Sequence, residues 1–288
     1  MNNSVLLLVL LFIFNSVNAQ ENSVDAQEIV CSSKDKEIFQ SKISELKNNY
    51  TTNTSIEETI ILVGNSFLGT PYVPKTLEIG TKESLVINLQ GLDCTTFVEN
   101  VIAFSLMLKN NQDNFDNYTH YLQKIRYKDG ILDGYASRLH YFSDWIANNE
   151  KKEIIKNITG DIGGEKLKKN INFMSTHREL YPFLKDDQNF NRIKESEMNM
   201  NQSDFYYLPK DQIKDNENLI NSGDIIAITT AVKGLDVSHT GIAIRLASGR
   251  IHLLHASTKG KVLISEVPLA AYLQKSKNNT GIIVNRIQ

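Results

Sequence analysis

The chain has 288 residues, 41% hydrophobic and 22% charged, a globular balance that excludes wholesale disorder and leaves room for a sizeable core. Its 31 basic and 33 acidic residues give a formal charge of −2, which argues against a nucleic-acid binder working by phosphate neutralisation. Two cysteines, Cys31 and Cys94, are too few for a disulfide framework or an all-cysteine zinc site.

The first element is an unbroken apolar run of ten residues, Val5 to Phe14. A membrane-spanning helix needs about 20. The run is followed by a small-residue ending, Val17-Asn18-Ala19. This reads as a secretory signal peptide over residues 1–19, although its first four residues carry no Lys or Arg. The expectation is a mature chain of residues 20–288 forming one domain, periplasmic or secreted, with no stable membrane insertion after cleavage. Disulfides are permitted in such a compartment, so an unpaired Cys94 needs a reason.

Helices come next. Lys34 to Asn48 places Ile38, Phe39, Ile43 and Leu46 at helical spacing. Ser55-Ile56-Glu57-Glu58 is a capping-box pattern that opens a second helix reaching about Leu68. Leu85 to Leu89 is extended. Cys94 to Lys109 is apolar enough for a buried helix, and Asn114 to Tyr127 is helical too. From about Gly130 to Asn221 the pattern is irregular, with aromatic clusters among polar runs. The period then changes: Asp224–Thr230, Val237–Leu246, Ile251–His255, Lys261–Val267 and Thr280–Ile287 read as strands. Helices followed by an antiparallel sheet make an α+β plan.

Cys94 opens its helix, where partial positive charge and unpaired N–H groups favour a thiolate. Alone, it reads better as a small buried hydrophobe. His239 and His255 change the balance. Their even separation puts them on one face of a regular antiparallel pair. A turn centred near Ala247 sets them directly opposite; a turn centred one residue later makes them diagonal neighbours. One cysteine and two histidines fit a Cys–His–polar triad. A Cys/His/His metal site has the right ligand types but no characteristic spacing, and ranks second. His120 and His177 read as exposed, and His252 alternates away from His255.

At these residues the sequence resembles the NlpC/P60 superfamily of papain-like cell-wall hydrolases. The matching segments are Leu68-Gly69-Thr70-Pro71-Tyr72, Asp93-Cys94-Thr95-Thr96-Phe97-Val98, Ser222-Gly223-Asp224-Ile225, Ser238-His239-Thr240-Gly241-Ile242 and His255-Ala256-Ser257. Five segments in order are far more specific than any one. Leu89 to Asn100, Ser137-Arg138-Leu139-His140-Tyr141 with Asp144-Trp145, and Gly234-Leu235-Asp236-Val237-Ser238-His239 are similar to the DUF1460 branch, described as N-acetylmuramyl-L-alanine amidases.

The resemblance implies a nucleophile helix packed on a central antiparallel sheet, with a family-specific insertion. It implies Cys94 as nucleophile, His239 as proton carrier and His255 as the group that orients it. Tyr72 and Asp93 would edge the site, with Tyr72 near the oxyanion. Arg138 would meet a peptide carboxylate, and Tyr141 and Trp145 a sugar, although a salt bridge and an aromatic core pair are the plainer readings. The substrate would be peptidoglycan or its muropeptide fragments, with no metal or organic cofactor. The open alternatives are a γ-D-glutamyl-diamino acid endopeptidase, an acyltransferase and a non-catalytic peptidoglycan-binding protein.

Overall fold

The computed structural model describes residues 29–288, so the signal peptide expected at 1–19 lies outside the described residues. A short strand β1 (Ile29–Cys31) leads into helices α1 (Ser33–Asn49) and α2 (Ile56–Ser66). Both helices open on a reciprocal cap: Ser32 with Asp35, and the expected Ser55 with Glu58. Strand β2 (Leu85–Ile87) pairs in parallel with β1. Helix α3 (Cys94–Lys109) begins at the expected residue, capped by Asp93 and Thr96, and α4 (Phe115–Arg126) follows.

The stretch that looked irregular is built from short pieces. They are α5 (Phe142–Lys151), β3 (Ile155–Asn157), β4 (Glu165–Leu167), α6 (Phe173–Thr176), α7 (Asp187–Asn201), β5 (Phe205–Pro209) and α8 (Ile213–Asn216). A small core of its own holds part of it together, around Tyr135, Tyr141, Met174, Leu184, Ile193 and Phe205.

Strands β6 (Ile225–Thr230), β7 (Val237–Arg245), β8 (Ile251–Ser257) and β9 (Lys261–Ile264) follow, then helix α9 (Leu269–Gln274) and strand β10 (Asn279–Ile287). The large sheet is antiparallel, in the order β4-β5-β10-β6-β7-β8-β9, with β3 also on β10. The central strands read as near-continuous apolar runs because both faces are covered. Ile225, Ala227, Ile242 and Leu254 pack with α2 and α3; Ile226, Ile228, Ala243 and Leu253 pack with Ile213, Leu269 and Leu273.

Helix α3 is enclosed along most of its length, with Phe97, Val98, Val101, Ile102 and Phe104 fully buried. Each such side chain contributes about 1.5–3 kcal/mol relative to exposure. Its one buried charge, Glu99, needs a partner, and Arg126 of α4 supplies it at 2.7 Å while also donating to the Val86 carbonyl. Replacing Arg126 by Leu leaves Glu99 buried and unpaired, so denaturant unfolding should show a loss of about 3–5 kcal/mol. The double variant Glu99→Leu, Arg126→Leu should recover much of that loss. An Arg126→Leu protein as stable as the wild type would mean that the pair is solvated.

Candidate active site

Cys94 is the first residue of α3, and the helix start is organised around it. The Asp93 carboxylate accepts from the Thr96 N–H at 2.8 Å, and the Thr96 hydroxyl accepts from the Asp93 N–H at 2.9 Å. Phe97 N–H is taken by the Asp93 carbonyl. The N–H groups of Cys94 and Thr95 meet no acceptor among the described residues. The other end of the geometry is fixed by β7: the Thr240 hydroxyl donates to the Cys94 carbonyl at 2.9 Å. Thr240 follows His239 directly.

The two histidines meet: His239 Nε2 lies 2.6 Å from His255 Nδ1. Strand register explains it. Ile242 pairs with Leu254 and Arg245 with Ile251, so the turn is centred at Ser248 and the histidines are diagonal neighbours on one face. Continuing that register sets Gly241 opposite His255. A Cβ on Gly241 would stand 2.9 Å from the His255 Cβ and 2.8 Å from the Leu254 carbonyl, so a glycine is required there.

The histidine pair has two tautomeric forms. If His239 Nε2 donates, His239 Nδ1 is left as a free lone pair and the His255 proton sits on Nε2. In the other form His239 Nδ1 holds the proton and accepts none. His255 Nε2 is buried without a hydrogen-bond partner.

Two tyrosines close the set. Burial raises the Tyr72 hydroxyl pKa, with Cys94 and Asp93 adding to it; burial and Cys94 raise that of Tyr272. Tyr272, on α9, also stands edge-on to His255, ring centroids 5.3 Å apart. It belongs to no motif in the sequence, only to a short apolar stretch after Pro268, and sequence reasoning passed it by. A cavity of about 350 Å³ opens beside it, with His239 and Ser238 on one wall.

Comparison with known proteins decides the kinship. Residues 62–282 match the AmiA-like family, described as N-acetylmuramoyl-L-alanine amidase-like. The chain belongs to that family. A crystal structure of a N-acetylmuramoyl-L-alanine amidase from Bacteroides uniformis is 40% identical, with TM-score 0.77, over 81% of this chain and 99% of that one. A Bacteroides fragilis structure with a provisional xylanase name is 43% identical, with TM-score 0.74, over 78% and 99%. A Legionella pneumophila protein of the DUF1460 family shares the fold at 23% identity, TM-score 0.66, over 88% and 95%. No curated protein matches.

In this amidase-like chain, three expected substrate contacts are occupied elsewhere. Arg138 is buried, 2.6 Å from Glu78 and 3.0 Å from Glu83, so its charge is already neutralised inside the protein. Tyr141 donates to Glu197 at 2.7 Å and accepts from the Met174 N–H. Trp145 is fully buried and stacks on Phe142 at 4.7 Å. None of the three presents a face to a sugar or peptide. His140 bonds the Tyr135 carbonyl through Nε2, and His252 bonds the Ser265 carbonyl through Nδ1. His120 is exposed and His177 half-buried, its Nδ1 close to the Phe173 carbonyl. Asp236 reaches across to accept from the Ser143 N–H at 2.7 Å, capping α5 from the start of β7.

The site is held in its neutral form. Burial pushes the Cys94 thiol up, the Asp93 carboxylate adds to that, and hydrogen bonding from Thr240 and Thr95 pulls the other way. The helix N-terminus alone had suggested a lowered value. Burial lowers His239 to about 4, and lowers His255 to about 3 with help from His239 and Lys259. Among the described residues no group of three or more His, Cys, Asp or Glu is placed to hold a metal.

Both folded-state histidine values lie below the ordinary 6.5. The unfolded chain therefore binds more protons between pH 6.5 and about 4, and stability falls as pH drops through that window. Denaturant midpoints measured across it should decline, and should decline less steeply for His255→Asn. Identical slopes in the two proteins would place the titrating groups elsewhere.

Proposed function

We propose that this chain is a cysteine hydrolase of papain-like NlpC/P60 type, cutting the amide between the lactyl group of N-acetylmuramic acid and L-Ala of the stem peptide. The observation that carries it is the His239–His255 pair, in which His239 stands on β7 beside the Thr240 that holds Cys94 at the open start of α3. The 40% identity to a structure named as that amidase supports the choice of bond. The reading includes one domain over residues 20–288, export by a signal peptide at 1–19, and action outside the cytoplasm on peptidoglycan or its fragments. No described helix is long and apolar enough to cross a membrane.

The chemistry follows from the neutral resting state. His239 Nε2–H donates to His255 Nδ1, which leaves His239 Nδ1 to take the thiol proton as Cys94 Sγ attacks the lactyl carbonyl. The oxyanion forms next to the free N–H groups of Cys94 and Thr95, with the Tyr72 hydroxyl at its edge. His239, now cationic, is stabilised by His255 and gives its proton to the departing L-Ala amine. Water then adds to the thioester with His239 as base, releasing the muramic acid and restoring the thiol.

A xylanase-type reaction needs two carboxyl groups flanking the bond. Among the described residues Asp93 is the carboxylate that raises the Cys94 thiol, and its oxygen is committed to the α3 cap. The thiol reading therefore stands ahead of it.

Mass spectrometry of products from a muramyl-peptide tests the assignment. The expected products are free muramic acid and a peptide beginning with L-Ala. Cys94→Ser should stay folded and lose about 10³-fold or more in turnover. Alkylation should abolish activity and extensive chelation should leave it intact. Cleavage of the free stem peptide after its second residue would replace the amidase by the endopeptidase. Loss on chelation with recovery on added zinc would replace the thiol by a metal.

A further inference from the structure

The cavity beside His239 has an unusual wall. Its ten lining residues include Lys259 and Lys275, the polar side chains of Ser238 and Asn279, and no Asp or Glu. The whole chain carries a formal charge of −2, so this local excess of cations is not inherited from the composition. The two lysines are poorly neutralised. Lys275 has no ion-pair partner among the described residues. The partner of Lys259 is Glu266 at 3.9 Å, with both side chains largely exposed. Lys259 already acts on the catalytic pair, helping to hold His255 neutral.

The position of the cavity says which part of a substrate it receives. In the proposed reaction His239 hands a proton to the departing amine, so the amine must lie against His239. The cavity has His239 in its wall and Cys94 outside it, a position that fits the part of the substrate beyond that amine. Its volume of about 350 Å³ is at the lower end of ligand pockets and suits a short peptide.

We propose that this cavity is the leaving-peptide subsite and that it reads a free carboxylate on that peptide, with Lys259 and Lys275 as the reading groups. The inference rests on the amidase reading and adds to it a preference for acidic over amidated stem peptides. The carboxylate supplies the charge the cavity lacks, and Ser238 and Asn279 supply donors for its remaining lone pairs. No covalent step is added: the peptide binds, leaves as the free amine, and carries its carboxylate away.

The test uses the Cys94→Ala protein and two probes, L-alanyl-D-glutamate and its diamide, titrated by calorimetry. The acid should bind about tenfold or more tightly than the diamide. The difference should collapse to near unity in Cys94→Ala carrying Lys259→Gln and Lys275→Gln. On the protein with Cys94 intact, the ratio of kcat/KM for muramyl-L-alanyl-D-glutamate over its diamide should fall in step, mainly through KM. Equal binding of acid and diamide, or an acid preference that survives the double lysine variant, overturns the proposal. If the acid preference appears and depends on the lysines while no muramyl-peptide is cleaved, the carboxylate subsite stands and the amidase reading falls.

Discussion

A helix that is apolar on nearly every side can meet water only at its ends, and α3 is such a helix. Its flanks are taken by the sheet, α2 and α4. The polar groups it carries inward must be answered there: Glu99 by Arg126, and the Asn100 side chain by the Thr96 carbonyl and the Tyr118 hydroxyl. Its first turn is where backbone donors stay unspent, and Cys94 stands in that turn. The demand for burial thus puts the thiol beside free N–H groups, where the proposed reaction needs them for a substrate carbonyl.

Local signals carried much of the fold. Capping pairs at Ser55 and Asp93, the apolar run from Cys94, and strands from Ile225 onward are encoded within a few residues each, and the structure places them within one or two positions, except that β9 ends at Ile264, three residues before the expected Val267. The parity of His239 and His255 was legible for the same reason: strand alternation is strict and the turn is short. The stretch between Gly130 and Asn221 was not, because its order comes from distant partners. Helix α7 buries little more than Ile193, Glu197 and Met200, too sparse a stripe to announce itself. Arg138 finds its carboxylates in the loop before β2, and Trp145 is enclosed by the main core. Aromatic content shows that surface will be buried; it does not say against what. Tyr272 is the converse case, drawn to His255 by the packing of α9 with no residue pattern to mark it.

The electrostatics of the site follow from the same burial. Partial burial disfavours a thiolate and an imidazolium alike, and each is pushed toward neutrality. Charge separation then belongs to the reaction and not to the resting protein. In the proposed reaction it is met by dipoles already in place: the α3 first turn for the oxyanion and His255 for the cation.

Gly241 binds this chemistry to topology. It is the one residue that lets β8 bring His255 up against β7, and a shift of the hairpin by a single position would put Thr240 or Ile242 there instead. Such a shift also turns one histidine to the opposite face from the other, out of its reach. A β7–β8 hairpin that forms in the wrong alignment is therefore sterically blocked and chemically silent at once. Under the proposed mechanism turnover then reports on strand alignment: every active molecule has the hairpin in its one permitted frame.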